Sequence, residues 1–457
     1  LTVMTFLGAG MLSGISAQVS PLQVDTLKET KIPDQWDLQS CIDYAKEQNI
    51  TIRKNRITAA STQIDVKTAK AAMFPSLSFS TGQQVVNRPY QETSSRVSGS
   101  EIISSNSKTS YNGNYGLNAS WTLYNGNKRL KTIQQEKLNN QMAELDVATS
   151  ENNIQESIAQ VYIQILYAAE SVKVNENTLQ VSIAQRDRGQ ELLNAGSIAK
   201  SDLAQLEAQV STDRYQLVTA QATLEDYKLQ LKQLLELDGE NEMNIYLPAL
   251  SDENVLAPLP TKRDVYISAL SLRPEIEASK LNVEASELGI NIAKSSYFPT
   301  ISLSAGIGTN HTSGSDFTFG EQVKNGWNNS IGLSVSVPIF NNRQTKSAVQ
   351  KAKLQYETSM LSLLDEQKAL YKTIESLWLD ANSAQQRYAA ANEKLKSTQI
   401  SYELISEQFN LGMKNTIELL TEKNNLLQAQ QEQLQAKYMA ILNTQLLKFY
   451  QGDQLAL

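Results

Sequence analysis

The chain has 457 residues, with 41 lysines and arginines against 48 aspartates and glutamates, and a formal charge of −7. Its one histidine, His311, and one cysteine, Cys41, exclude an intrachain disulfide framework, a His/Cys zinc site and a paired His/Cys catalytic centre. The mild acidity argues against wrapping nucleic acid, which needs clustered surplus Lys and Arg, so no nucleic-acid partner is expected.

The N-terminal stretch, residues 1–17, is apolar and uncharged and ends on Ala17, with Ile15 at −3 to a cleavage point. That pattern predicts the remnant of a secretory signal. No run of 18 apolar residues follows, so no membrane-spanning helix is expected. Cys41 falls on an early helix at 38–45 and reads as a small core residue.

A long-range repeat then organises the chain. Ala69–Phe79, with Phe74-Pro75 at its centre, returns as Ala293–Leu303 with Phe298-Pro299. Tyr115–Asn125 returns as Ile331–Asn341, and Gly196 returns as Gly412, both at an offset of 216. The predicted organisation is a first repeat over 18–240, a Pro-rich linker over 241–262, and a second repeat with a C-terminal tail over 263–457. The first repeat carries strands at about 76–86 and 111–124 and a helix-hairpin tip at 194–202. The second carries strands at about 300–309 and 328–340 and a tip at 409–418.

Stretches without Gly or Pro, such as 127–188 and 339–411, are rich in Gln, Leu, Ala, Lys and Glu and predict very long helices. Ile154, Ile158, Val161, Ile165, Ala168, Val172 and Leu179 follow heptad spacing, as do Leu370, Ile374, Leu377, Ala381 and Ala384. The strand segments switch to period two. Tyr115, Leu117, Ala119 and Trp121 alternate with Gly116, Asn118 and Ser120; Ile331, Leu333 and Val335 alternate with Gly332 and Ser334. About ten residues of such alternation, with Trp121, Tyr124, Trp327 and Phe340 at the ends as membrane-interface aromatics, is an outer-membrane strand pattern. His311 falls in the intervening polar loop and reads as a solvated residue. Lipid tolerates no open sheet edge, and a barrel needs at least about eight strands, so four per chain demand several copies. Two copies would suffice for eight strands and three for twelve.

On the double repeat, the paired Phe-Pro and the hairpins Leu193–Leu203 and Phe409–Leu419, the chain resembles the TolC-like outer-membrane efflux channels. The resemblance implies a mixed α+β membrane protein: a homotrimer whose long antiparallel coiled-coil helices form an α-barrel in the periplasm. Four strands per chain then contribute to a 12-stranded transmembrane β-barrel in the outer membrane of a Gram-negative bacterium, against its lipid. The linker joins an equatorial belt. The resemblance also implies docking of the tips, Ala195, Gly196, Ser197, Leu411, Gly412 and Met413, onto a periplasmic adaptor linked to an inner-membrane pump. It places a pore gate at Asp202 and Glu418, six residues after each turn glycine, with Ser201, Phe409 and Lys414 beside them. Phe409 lacks the phenolic hydroxyl of the family pattern, and Thr421 stands where the family has a further aspartate. The expected role is a passive exit duct for small molecules such as drugs, without enzymatic activity, metal or cofactor. Type I protein secretion through the same duct and a soluble periplasmic coiled-coil scaffold are the alternatives.

Overall fold

The computed structural model of the chain describes residues 33–90, 94–98, 101–105, 108–238, 243–248, 255–315 and 317–455. The expected signal remnant at 1–17 and parts of the 241–262 linker lie outside the described residues. The chain divides into two compact units, one of residues up to 58 with 147–273 and 369–457, the other of 59–146 with 274–368. Each unit draws on both sequence repeats. The repeats are therefore not separate globules, and the long helices pass from one unit into the other.

In chain order the helices are α1 (Leu38–Gln48), α2 (Ile50–Ala71), α3 (Lys128–Asn194), α4 (Lys200–Leu234), α5 (Lys262–Leu272), α6 (Pro274–Ser295), α7 (Phe319–Asn325), α8 (Gln344–Asn410) and α9 (Thr416–Gln451). The strands are β1 (Ser76–Asn87), β2 (Ser94–Ser98), β3 (Glu101–Ser105), β4 (Thr109–Asn125), β5 (Thr300–Thr312) and β6 (Asn328–Ser336). Helices α3 and α8 each run for 67 residues, about 100 Å along the axis at 1.5 Å per residue. A proline marks the boundary between α5 and α6. Pro274 follows Arg273, the C-cap of α5, because the residue before proline avoids helical backbone.

The unit holding the middle of α3 and the end of α8 is built around Trp36, Ile42, Ile158, Tyr162, Ile165, Leu231, Leu235 and Val255, all buried. Ile158, Ile165, Ala168 and Leu179 of the first predicted seam are buried, as are Leu370, Ile374, Ala381 and Ala384 of the second. Cys41 sits in this core, and burial pushes its thiol up to about 12. The described parts of the linker are bound to this unit. Tyr246 N donates to Trp36 O (2.8 Å), Tyr162 OH donates to Tyr246 O (2.6 Å), and Trp378 Nε1 donates to Pro260 O (2.9 Å). Buried backbone carbonyls in an irregular segment need such donors.

The other unit carries a four-stranded antiparallel sheet in the order β1–β4–β5–β6, with the β2–β3 hairpin separate from it. The predicted first strand is observed nearly as expected, whereas β5 extends three residues beyond the predicted 309. Strand β6 ends at Ser336 rather than 340, since Pro338 has no N–H for the ladder. His311, expected in a loop, is in β5, and its register partner on β4 is Gly113.

Candidate functional site

Both helix hairpins turn on the same device. Gly196 and Gly412 have φ of 76° and 73°, the left-handed region that costs an L side chain about 1–2 kcal/mol. Gly196 N donates to Leu193 O (2.9 Å) and Ser197 N to Leu192 O (2.8 Å). Gly412 N donates to Phe409 O (2.9 Å) and Met413 N to Gln408 O (2.9 Å). These are paired Schellman closures, which satisfy the last carbonyls of α3 and α8. A Cβ at either glycine would meet nothing within 4 Å, so glycine is required by backbone angle and not by space. Ala195, Gly196, Ser197, Leu411, Gly412 and Met413 are all exposed. The second tip is the more apolar: Leu411, Met413 and Ile417 are 74%, 70% and 63% exposed.

The two acidic residues of the tips are held differently. Asp202 Oδ2 accepts from Ala199 N (3.0 Å), and alanine offers no side chain in return. Glu418 belongs to a full capping box: its Oε2 accepts from Asn415 N (3.2 Å) while Asn415 Oδ1 accepts from Glu418 N (2.9 Å). Lys414 Nζ occupies the other oxygen at 2.7 Å. The Lys414 ammonium and the Asn415 N–H hold the Glu418 carboxyl below its ordinary range. Phe409 is buried, Ser201 is exposed, and Lys414 and Glu418 are half-buried. Of the predicted gate residues the structure thus joins Lys414 to Glu418.

A second cluster in the same helices is absent from the sequence expectations. Asp213 on α4 and Lys423 on α9 form a salt bridge whose side chains are 2% and 3% exposed. Lys423 Nζ and Asp213 Oδ2 both bond to Ser182 Oγ on α3, and Gln209 Nε2 donates to Asp213 Oδ1 (2.9 Å). Burial pulls the Lys423 ammonium pKa down, and the adjacent Asp213 carboxylate opposes this. The sequence did carry a signal. Asp213 follows Leu203, Leu206 and Val210 at seam spacing, and Lys423 sits between Leu419 and Leu426.

In the sheet unit, one face is apolar and one polar. Register aligns Leu77 with Ala119, Phe79 with Leu117, Leu117 with Ile307, Leu303 with Leu333 and Ile301 with Val335. The opposite face carries Ser78, Ser80, Asn118, Ser120, Ser304, Gly306, Ser330 and Ser334. The apolar face is open: Leu77, Phe79, Ile331 and Leu333 are 65–84% exposed. Among the described residues β1 and β6 each have one unpaired edge. Trp121 Nε1 donates to Met73 O (2.7 Å), Tyr124 is half-buried, and Phe340 and Trp327 are exposed. Phe74 and Phe298, which the repeat brought out only as motif residues, add exposed aromatic rings where β1 and β5 begin.

The family model for outer membrane efflux proteins matches residues 41–236 and 265–452. The chain is 24% identical over 294 residues to outer membrane efflux protein BepC of Brucella suis biovar 1, covering 64% of this chain and 61% of the relative. It is 24% identical over 294 residues to outer membrane protein TolC of Escherichia coli K12, covering 62% and 58%. The matches thus span about three-fifths of the length of these curated relatives. The fold is similar to that of CusC, described as forming a transmembrane channel, with a TM-score of 0.77 at 19% identity over 91% of this chain and 92% of that one.

Proposed function

Because the chain belongs to the outer membrane efflux protein family, we propose that it is one third of a homotrimeric exit duct in the outer membrane of a Gram-negative bacterium. The duct passes small molecules delivered by a periplasmic adaptor and an inner-membrane pump. The observation that carries this reading is the sheet: an exposed apolar face, a polar face of small residues, and open edges at β1 and β6. In lipid such a sheet is satisfied only by closure. Three copies supply twelve strands, with the apolar face outward and the Ser/Asn/Gly face lining the lumen.

The long helices then carry the lumen through the periplasm to the tips. There Leu411, Gly412 and Met413, with Ala195, Gly196 and Ser197, meet the adaptor, and the exposed apolar side chains supply its footing. Asp202 and Glu418 face the pore, where three copies make rings that attract cations. Each Glu418 arrives with Lys414 bound to it, so Asp202 contributes the larger share of the net negative charge. Phe409 and Ser201 support the gate by packing and size. Trp121, Tyr124, Trp327 and Phe340 anchor the barrel at the membrane interfaces. The duct performs no reaction, and its energy comes from the pump.

Single-channel recording on the purified protein, with bilayer insertion verified, tests this reading. Discrete cation-selective openings are expected. Asp202→Ala should reduce cation preference more than Glu418→Ala, and Lys414→Ala should increase it. Unchanged selectivity in all three removes these residues from the pore, and failure of the protein to insert overturns the duct.

A further inference from the structure

The connection between β5 and β6 does not hang free in solvent. His311 shares the face of Ile301, Leu303 and Ile307, because alternate residues of a strand point the same way. Its imidazole lies over Gly113, where a Cβ would fall 2.2 Å from His311 Cε1. The ring packs against Tyr111 (5.3 Å between centroids), Tyr115 (5.9 Å) and Phe319 of α7 (4.9 Å). Thr309, on the same face, donates from Oγ1 to Val323 O at 2.7 Å, and Thr312 N donates to Gln322 Oε1 at 2.8 Å. Helix α7 is therefore bound across the far end of the apolar face and not across the polar one. Seven residues are too few to hold a helix alone. The Thr318–Glu321 capping box and the bonds to β5 hold this one.

Three aromatic rings on and beside it are exposed, next to the polar Glu321, Lys324 and Asn325: Phe317, Phe319 and Trp327 are 55%, 57% and 57% exposed, while Gln322 and Val323 are turned in and half-buried. From Phe298 to His311 is thirteen residues of chain, about 43 Å along an extended strand and about 33 Å in height at a tilt of about 40°. A hydrocarbon layer of about 25–30 Å starting near Phe298 thus ends just below α7.

We infer that residues 317–327 form a membrane-surface anchor, lying against the lipid-facing wall of the barrel and placing Phe317, Phe319 and Trp327 at the boundary between outer headgroups and acyl chains. Aromatic rings favour that boundary because one part of each group is apolar and the surroundings are only partly wet. The inference rests on the duct reading, since only a barrel turns the apolar face toward lipid.

The test uses the full-length protein in phosphatidylcholine vesicles with an environment-sensitive fluorophore on a single added thiol. Cys41 is fully buried with its thiol pushed up to about 12, so it stays unlabelled. Phe317→Cys and Trp327→Cys are the anchor positions, both exposed, and Leu333→Cys reports the middle of the apolar face. Lipids carrying a nitroxide near the headgroup should quench the two anchor labels more than lipids carrying it at the chain terminus, with the reverse order at Leu333. Quenching of both anchor labels only by a water-soluble nitroxide, with Leu333 still quenched by lipid, overturns the anchor and leaves the duct standing. Loss of lipid quenching at Leu333 as well overturns both.

Discussion

Lys423 and Asp213 show how much one residue can decide in a thin helical assembly. Removing one member of a buried pair leaves the other charged and unsolvated, which costs about 3–5 kcal/mol. Lys423→Met alone should therefore speed amide exchange over 205–217 and 418–428, and adding Asp213→Leu should restore most of the protection. A single variant as protected as the parent would show that water reaches the pair. Both residues occupy seam positions, where a polar group fixes helix register more than it adds stability. The repeat hides both: at the offset of 216 the counterpart of Asp213 is Ala429 and that of Lys423 is Glu207. Glu418 makes a pH-dependent contribution of opposite visibility. Its folded pKa is lowered, so its cap contributes above the ordinary value of 4.5 and is lost as pH falls through the folded value. Glu418→Gln should loosen residues 416–419 near pH 7, and the difference from the parent should shrink as pH falls below 4.5 and vanish below the lowered folded value.

At the level of elements, the two hairpins were legible in outline and the loop helix was not. Glycine-free runs flanking Gly196 and Gly412 forecast helix, turn and helix, and the observed Schellman closures fall on those glycines. A β-branched residue there meets an unfavourable φ but no collision. Gly196→Val should weaken its turn by about 1–2 kcal/mol and lower drug resistance in cells, with the trimer unchanged on native gels. Undiminished resistance would remove this tip from adaptor docking. Helix α7 is hidden in the sequence because residues 309–326 are rich in Ser, Thr, Asn and Gly, the composition of a loop. The Thr318-Phe-Gly-Glu321 capping signature was the local clue. The packing of His311 is hidden for the same reason: polar neighbours in sequence conceal aromatic neighbours in space.

For the molecule as a whole, the two sequence repeats and the two compact units are different divisions, each unit taking segments from both repeats. A 67-residue helix is one covalent element and two packing environments: its residues up to 146 belong to one unit and those from 147 to the other. Sequence periodicity reports the helix but not the point along it where its neighbours change. Copy number was open on strand arithmetic alone, and the proposed trimer predicts a native mass of three chains. Proline placed in β6 at a residue whose N–H points away from β5, for example Val335→Pro, should leave monomers, because the ladder across the open edge loses a donor.

The sheet with two bare edges has a bearing on the chain's life before assembly. Each edge offers unpaired N–H and C=O groups to any other extended backbone, and the adjoining apolar surface favours the encounter. On the proposed duct reading, a copy outside the ring is thus sticky until it meets its fellows, and the same strand that completes the ring can instead seed a tangle. Refolding yield should therefore fall steeply as protein concentration rises.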